Sequence, residues 1–441
     1  MEYVILGFQQ FGEWLISPIE FFADLEAEQW FLNFWPLVFL DVPRYLVTDA
    51  VVFAWTLIKN NGADRGSRDP WKGQHSVPLV AVIISALNEE RSLKASVHSV
   101  LAQDYPHLEV IVVDDGSNDR TALIGRQLAH HSQVKFFSLR SRQGKSGAVN
   151  FGGQMTKARY IAWLDSDSTL DHQAISEAMR PFFQQPGVGA VSGNIGLRNG
   201  SRNILTRLQK AEYLCSIGVG RQFSSRMGIL STVSGAFGIF RRDVLDRLGW
   251  FEPGTGEDTD MTIRVRKLGY RVAFAPEAVC LTNGPETWLG FVGQRLRWDR
   301  AIILFMLRKY RDVFHFSQHH FRLSNLMSFL DALLFQVVLP VGWTLYLLGL
   351  LVFSPDYCVP LVFGLYYLYT VFTLMDWFFA FSILDWKGRG YEFVMALPFV
   401  VPYRVLSGLV TLVSTFQELV FRLSYRDPYT PAKVRDQMPI Y

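Results

Sequence analysis

The sequence predicts a central α/β domain with a largely parallel sheet, set between apolar helical segments. Three observations carry that prediction. Between about residues 77 and 310 short apolar runs alternate with helical patterns, as in strand–helix–strand units joined by right-handed crossovers. Two acidic turns, Asp114-Asp115-Gly116-Ser117 and Asp165-Ser166-Asp167, each follow such a run, at the carboxyl ends of strands where open α/β sheets bind ligands. Only 19% of the 441 residues are charged and 49% are hydrophobic, against about 25% charged in a typical soluble domain. That deficit falls at the two ends of the chain and not in its middle.

Residues 1–29 mix aromatics with Glu13, Glu20, Asp24, Glu26 and Glu28, a pattern suited to an amphipathic helix at a membrane surface. Residues 30–58 are apolar apart from Asp41, Arg44 and Asp49, with room for one tilted span or two. Residues 1–58 are therefore expected to form a membrane anchor. A basic linker, 59–76, carries Arg65, Arg68 and Lys72, and positive charge beside a span marks the cytoplasmic side. The chain is thus expected to be an integral membrane protein, of a bacterial inner or plasma membrane, with domain 77–310 in the cytoplasm.

Inside that domain the run 80–85 is continuously apolar, as in a strand buried on both faces. Helical patterns at 95–101, 121–130 and 147–156 alternate with strands at 109–113, 134–139 and 160–165, predicting a doubly wound sheet. Residues 311–421 are a second membrane region. Long apolar stretches at 323–353, 359–384 and 393–420 contain Asp331, Asp376 and Glu418 among few charges, and intramembrane acids are expected to face a channel or one another. Lys387 and Arg389 belong inside, and so do Arg422, Arg426, Lys433 and Arg435 of the tail 422–441. Three full spans after a cytoplasmic domain would put that tail outside. One stretch is therefore expected to be interfacial or re-entrant, and Pro398 and Pro402 point to 393–420.

Several classes are excluded. A net charge of +3 without a Lys/Arg-rich run argues against nucleic acid as a partner. Cys215, Cys280 and Cys358 lie too far apart for a zinc site or a disulfide framework. Met1-Glu2-Tyr3 lacks the basic start of a cleaved signal peptide. Gly144-Lys145-Ser146 is not a P-loop, because Leu139 stands where the first glycine is required.

Chemistry concentrates in four places. Asp165 and Asp167 end an apolar strand, where alternate residues splay and can share one hard cation, Mg²⁺ or Mn²⁺, completed by water and phosphate oxygens. The same residues also suit a plain polar turn. Asp114-Asp115-Gly-Ser fits a carboxylate accepting from a base or ribose, or a turn capping a helix. Glu257 and Asp258, after Gly256, suit either proton transfer or the electropositive start of a helix. Gln294, Arg297 and Trp298 share one helical face. Arg297 there can clamp a pyrophosphate and Trp298 can stack a sugar ring, and an amphipathic basic helix at the membrane surface accounts for the residues equally well.

Taken in order, Asp114-Asp115-Gly-Ser, Asp165-Ser-Asp167, Gly256-Glu257-Asp258 and Gln294-Arg-Leu-Arg297-Trp298 resemble the motif series of the membrane-embedded, processive family 2 glycosyltransferases. These are the cellulose, chitin-oligosaccharide, hyaluronan and poly-N-acetylglucosamine synthases. The resemblance implies an α/β GT-A domain, Rossmann-like and binding a nucleotide sugar, flanked by transmembrane helices. It places Asn88, Glu89 and Asp115 around the base and ribose. Lys145 joins them through Gly144-Lys145-x-x-Ala148-x-Asn150. Asp165 and Asp167 would hold Mg²⁺ or Mn²⁺, with the direct bond from Asp167. Val233-Ser234-Gly235-Ala236 would carry the acceptor end, Asp258 beside Glu257 would be the general base, and Gln294, Arg297 and Trp298 would close the site. Gly256 stands where the family usually has Thr.

The implied reaction is metal-dependent, inverting, processive transfer from a nucleotide sugar, UDP-glucose or UDP-N-acetylglucosamine, onto a growing β-glycan. Translocation through the bilayer and accessory polysaccharide-export subunits go with it. Two rivals stand beside it: a non-processive enzyme adding one sugar to a lipid carrier, and a non-catalytic assembly subunit. Arg422-x-x-x-Arg426 has the spacing of cyclic-dinucleotide receptors but reads as juxtamembrane charge.

Overall fold

The computed structural model describes residues 42–62, 77–315, 321–353, 355–384, 391–427, 430–436, 438 and 440–441, with isolated positions between 20 and 26. The expectations for the amphipathic segment 1–29, nearly all of the linker 59–76 and the Lys387–Arg389 loop lie outside the described residues.

After helix α1 (Val42–Gly62), the strand and helix patterns of the central region build one eight-stranded sheet. Its strands are β1 (Val80–Ala86), β2 (Leu108–Asp114), β3 (Val134–Ser138), β4 (Tyr160–Asp165), β5 (Thr169–Leu170), β6 (Val188–Leu197), β7 (Phe237–Arg241) and β8 (Arg271–Thr282), in the order β3-β2-β1-β4-β7-β6-β8-β5. The first four positions are parallel and follow the doubly wound expectation. Beyond β4 that expectation fails, because β7 runs antiparallel to both β4 and β6. The strand–helix alternation lapses at that point. After β6 the chain makes a helical excursion through α6 (Ile204–Tyr213), a π-helical turn (Leu214–Gly220) and α7 (Arg221–Arg226), and it returns reversed.

Helices cover both faces. Leu93, Val97 and Val100 of α2 (Leu93–Leu101) and Ala174, Ile175 and Met179 of α5 (Ala174–Gln184) bury one face of the sheet. The other face packs on α4 (Gly144–Gln154), α8 (Arg242–Leu248) and α9 (Glu257–Lys267). Helix α3 (Thr121–Leu128) borders β3. Phe240 lies 4.5 Å, centroid to centroid, from Trp163 across the β4–β7 pair, and full burial of such a ring contributes about 1.5–3 kcal/mol. Helix α4 lies so close to the sheet that a Cβ on Gly152 would come within 2.7 Å of Ile83.

Register decides where the acidic turns emerge. Ser85 of β1 pairs with Val113 and with Asp165, and Ala86 with Asp114, so the carboxyl ends of three parallel strands are level. Antiparallel β7 starts opposite the end of β4, with Leu164 facing Phe237 and the Asp165 N–H donating to Ala236 O at 3.1 Å. The loop before β7 is thereby fixed against Asp165.

Helix α10 (Trp288–Leu304) follows the sheet, capped by the Thr287 hydroxyl, which accepts from the Gly290 N–H. Then come α11 (Leu323–Leu333), a π turn (Leu334–Val338), α12 (Leu339–Phe353), α13 (Pro355–Ile383), α14 (Tyr391–Val394) and α15 (Val400–Phe421). Three stretches, Leu323–Phe353, Leu361–Ile383 and Tyr391–Phe421, are long and apolar enough to cross a membrane. The last is interrupted at Leu397–Phe399 and runs beside α10. Arg295 meets Tyr403 at 3.4 Å, Asp299 accepts from Thr411 at 2.9 Å, Arg300 meets Gln417, and Arg308 pairs with Glu418 at 2.6 Å. Both numberings rise together, so the two helices lie side by side and parallel.

The tail then returns to the α/β domain. Thr255 donates to Asp427 at 2.7 Å and the Tyr441 hydroxyl to Glu252 at 3.1 Å. Asp331 pairs with Arg44 of α1 through two bonds of 3.1 Å, and Asp376 hydrogen-bonds Asp49.

The Glu418 side chain is fully buried, and the Ser424 N–H and hydroxyl donate to it at 2.8 and 2.9 Å alongside Arg308. Arg308→Met leaves that carboxylate without its counter-charge and is expected to cost about 3–5 kcal/mol. Thermal denaturation in lipid nanodiscs checks this. The double variant Arg308→Met/Glu418→Leu should regain most of the loss, and an unchanged midpoint in the single variant would mean the pair does not hold α15 in place.

Candidate active site

The geometry starts from the acidic edge of β4. Asp165 ends the strand and Asp167 follows in the turn, where its Oδ1 has only long contacts to the Ser168 and Thr282 hydroxyls, 3.3 and 3.4 Å. Burial, and then repulsion from Asp165, hold the Asp167 carboxyl above its ordinary range. Burial likewise raises Glu89, with its Ser92 hydrogen bond opposing and the charges of Asp167 and Asp165 adding. Among the described residues no three His, Cys, Asp or Glu side chains form a ready-made metal cage. The donor set nevertheless fits a hard divalent ion: two partly free carboxylates carry excess negative charge, and such an ion takes its remaining ligands from phosphate and water.

Asp115 and Lys145 are tied to the start of α4. Asp115 accepts the Gln143 N–H at 2.6 Å and the Gly144 N–H at 2.8 Å, capping the helix that carries Lys145. Burial pushes its carboxyl up while these two bonds oppose the shift. Asp114 is fully enclosed, accepting from the Ser117 N–H at 3.0 Å and the Ser138 hydroxyl at 2.8 Å, and it ties β2 to β3. Lys145 Nζ reaches Asp165 Oδ1 at 2.6 Å, the Gly235 carbonyl at 2.8 Å and Glu257 Oε1 at 3.4 Å. Burial alone would lower its pKa, but the carboxylates of Asp165, Glu257 and Asp258 outweigh that and raise it.

Glu257 and Asp258 form the first turn of α9, whose N-cap is Gly256 in the left-handed region at φ 76°. Negative charge is favourable at that end of a helix. Asp258 accepts the Gly235 N–H at 3.0 Å and its neighbour Thr259 N–H at 2.7 Å. A Cβ on Gly235 would sit 3.0 Å from Asp258 Oδ2 and 3.4 Å from Lys145 Nζ, so the loop passes between them because it is glycine. Burial raises the Glu257 carboxyl; Lys145 opposes and Asp258 adds.

Gln294, Arg297 and Trp298 line the same cavity from α10. Gln294 Oε1 is buried and has no hydrogen-bond partner among the described residues, and the Arg295 guanidinium lies 4.9 Å over the Trp298 ring. Asn88 is the site residue the structure does not bring in. Its backbone adopts φ 58°, its N–H donates to the Ser117 hydroxyl at 2.9 Å and its side-chain Oδ1 accepts from the Asn118 N–H at 2.8 Å. It fastens the first loop to the second, and Glu89 beside it lines the cavity. One residue outside the motifs enters: Arg221 donates to Ser192 at 3.0 Å, and burial lowers its pKa against the opposing charge of Asp258. It lies in the helical excursion after β6, so no spacing in the sequence marked it.

The cavity has a volume of about 1450 Å³ and does not end at the sheet. Its walls run from Asp115, Lys145 and Asp258 past Trp298 to Phe335, Trp343, Tyr369 and Asp376 of the apolar helices.

Residues 81–249 match Glycosyl transferase family 2. That segment carries a family 2 glycosyltransferase domain. It is 32% identical over 232 residues to a poly-β-1,6-N-acetyl-D-glucosamine synthase of Staphylococcus epidermidis, covering 52% of this chain and 56% of that protein. With the enzyme of the same name from Staphylococcus aureus strain COL the identity is 30% over 223 residues, 50% of this chain and 54% of the other. The chain thus spans little more than half the length of the curated relatives it matches. Among solved structures, a mannosyltransferase from Pyrobaculum calidifontis in complex with GDP-mannose and Mn²⁺ aligns with a TM-score of 0.53 at 20% identity, over 86% of this chain and 99% of that one. This likeness shows the fold, a GT-A-like mixed sheet.

Asp299 gives a pH signature. Burial pushes its carboxyl up to about 6, against hydrogen bonds from Thr411 and Ser414 and the charge of Arg295. An acid raised on folding destabilises its charged form. The penalty is absent below the unfolded value of about 4 and complete above about 6. Asp299→Asn is expected to match the wild type in thermal midpoint at pH 4 and to exceed it by several degrees above pH 6.5. A difference that does not change with pH would remove the buried charge as its cause.

Proposed function

We propose that this glycosyltransferase polymerises a β-linked N-acetylglucosamine chain from UDP-N-acetylglucosamine, by single inverting displacements at the cytoplasmic face of a membrane. The observation that carries this reading is the single cavity shared by the carboxylate edge of the sheet and by the apolar helices. A growing polymer needs a path away from the site. Walls offering Trp343, Tyr369 and Trp377 together with Thr373 and Arg404 suit sugar rings and hydroxyls better than acyl chains. The names of the Staphylococcus relatives support the sugar.

Asp258 is placed to take the proton of the acceptor hydroxyl as that oxygen attacks the anomeric carbon. The bond from this carbon to the diphosphate oxygen breaks, UDP leaves with the electron pair, and an α-linked donor yields a β-glycoside. No second carboxylate acting as an acid is required, unlike glycoside hydrolysis with its paired carboxyls. Asp167 and Asp165 would hold the divalent ion, which when bound neutralises charge on the leaving diphosphate as a Lewis acid. The mannosyltransferase of similar fold, crystallised with GDP-mannose and Mn²⁺, supports that choice. Gln294 and Arg297 orient the diphosphate, and Trp298 stacks the acceptor sugar.

The contacts of the tail with Thr255 and Glu252 support a topology with the tail and the α/β domain on one side and an even number of crossings in between. Two of the three apolar stretches then span. The stretch ending in α15, aligned with α10, lies at the cytoplasmic interface.

Protein reconstituted in lipid with Mg²⁺ or Mn²⁺ and offered UDP-N-acetylglucosamine, UDP-glucose, UDP-glucuronate and GDP-mannose separately tests the proposal. A high-molecular-weight product is expected from the first donor. Asp258→Asn should slow its formation by about 10²–10⁴-fold while UDP binding persists. A single-sugar lipid product would sink the polymerising reading, and full activity in Asp258→Asn would take the base role from that residue.

A further inference from the structure

Asp165, Asp167, Glu89, Glu257 and Asp258 all face one cavity, and a nucleotide diphosphate would add further negative charge. Lys145 stands among them, its ammonium 2.6 Å from Asp165 Oδ1, donating to the Gly235 carbonyl at 2.8 Å and lying 3.4 Å from Glu257 Oε1. An ammonium has three donors and no more. In this arrangement the short contacts to Asp165 and Gly235 already occupy two of them, whereas its motif implies a role on the nucleotide base or phosphate. The lysine instead holds one oxygen of the very carboxylate pair that fits a divalent ion.

We propose that Lys145 is an internal counter-ion that is exchanged for the divalent metal. In the donor-free protein it bridges Asp165, Glu257 and the Gly235 loop, and metal binding displaces it from Asp165, freeing its ammonium for the incoming diphosphate. This rests on the metal-dependent reading given above. It makes Lys145 a positioning residue whose first effect falls on metal affinity and not on turnover. Two unit charges this close interact strongly at the effective dielectric of a protein interior, so a metal ion must compete with the lysine for Asp165. The Gly235 residue transmits the exchange, since its carbonyl accepts from Lys145 while its N–H donates to Asp258.

The test measures Mn²⁺ binding to the full chain in nanodiscs, without nucleotide, by electron paramagnetic resonance of the free ion. Lys145→Met is expected to bind Mn²⁺ at least about tenfold more tightly than the wild type. Lys145→Arg, which keeps the cation, should stay close to the wild type. In the wild type, Mn²⁺ should also raise acylation of Lys145 by an amine-reactive reagent several-fold, read by mass spectrometry, which covers a Lys145→Met that does not fold. Equal or weaker Mn²⁺ affinity in Lys145→Met, or unchanged acylation of wild-type Lys145, overturns the exchange. If neither wild type nor Lys145→Met binds Mn²⁺, the metal-dependent reading falls and takes this one with it. If the affinity shift is present and no polymer forms from any donor, the exchange stands and the proposed reaction fails.

Discussion

Everything at this site answers to one constraint, the crowding of carboxylates at the carboxyl edge of a parallel sheet. The register of β1 against β2 and β4 makes that crowding unavoidable, because it brings Asp114, Asp115, Asp165 and Asp167 out at one level. Such a cluster is costly where water is partly excluded, and the upward pull of burial on Asp167, Glu89 and Glu257 is the expression of that cost. The surrounding structure offsets it with positive charge of several kinds. Backbone N–H groups at the start of α4 saturate Asp115, the electropositive end of α9 holds Glu257 and Asp258, and the Lys145 ammonium sits in the middle.

The antiparallel strand β7 is what completes the arrangement. A fully parallel sheet would have led into the next strand from its far end, leaving the edge of β4 open. Because β7 enters at that edge, the loop at Ser234 and Gly235 is clamped between Trp163, Lys145 and Asp258. In the proposed reaction an acceptor on that loop would lie within reach of Asp258 and of the Asp165–Asp167 pair at once.

Much of this was legible in the residue order. Apolar runs bounded by acidic turns marked β1, β2 and β4 and the direction in which they point, and the four spaced motifs marked the residues that line the cavity. What stayed hidden depends on tertiary context. A run such as 237–241 looks the same whether its strand runs parallel or antiparallel, so the reversal of β7 left no trace. Asp115 reads as a nucleotide ligand or a helix cap from identical letters, and only the Gln143 and Gly144 N–H groups show that it caps. Asn88 adjoins Glu89 in sequence, yet with its backbone in the left-handed region its side chain accepts from the Asn118 N–H while Glu89 lines the cavity. Arg221 is brought to Asp258 by a helical excursion that carries no motif at all.

All three apolar stretches are long enough to span, Pro398 and Pro402 single out the last in the sequence, and its side-chain pairing supports the same reading. The chain of contacts from Arg295 with Tyr403 to Arg308 with Glu418 binds α15 along the helix that presents Arg297 and Trp298 to the cavity. Two helices riveted this way tilt and shift as one plate. A plate resting at the lipid headgroups rises or sinks with the thickness and lateral pressure of the bilayer. In the interfacial placement proposed above, the height of Trp298 above the carboxylate edge would then follow the lipids, and the surrounding membrane would be part of the catalytic geometry.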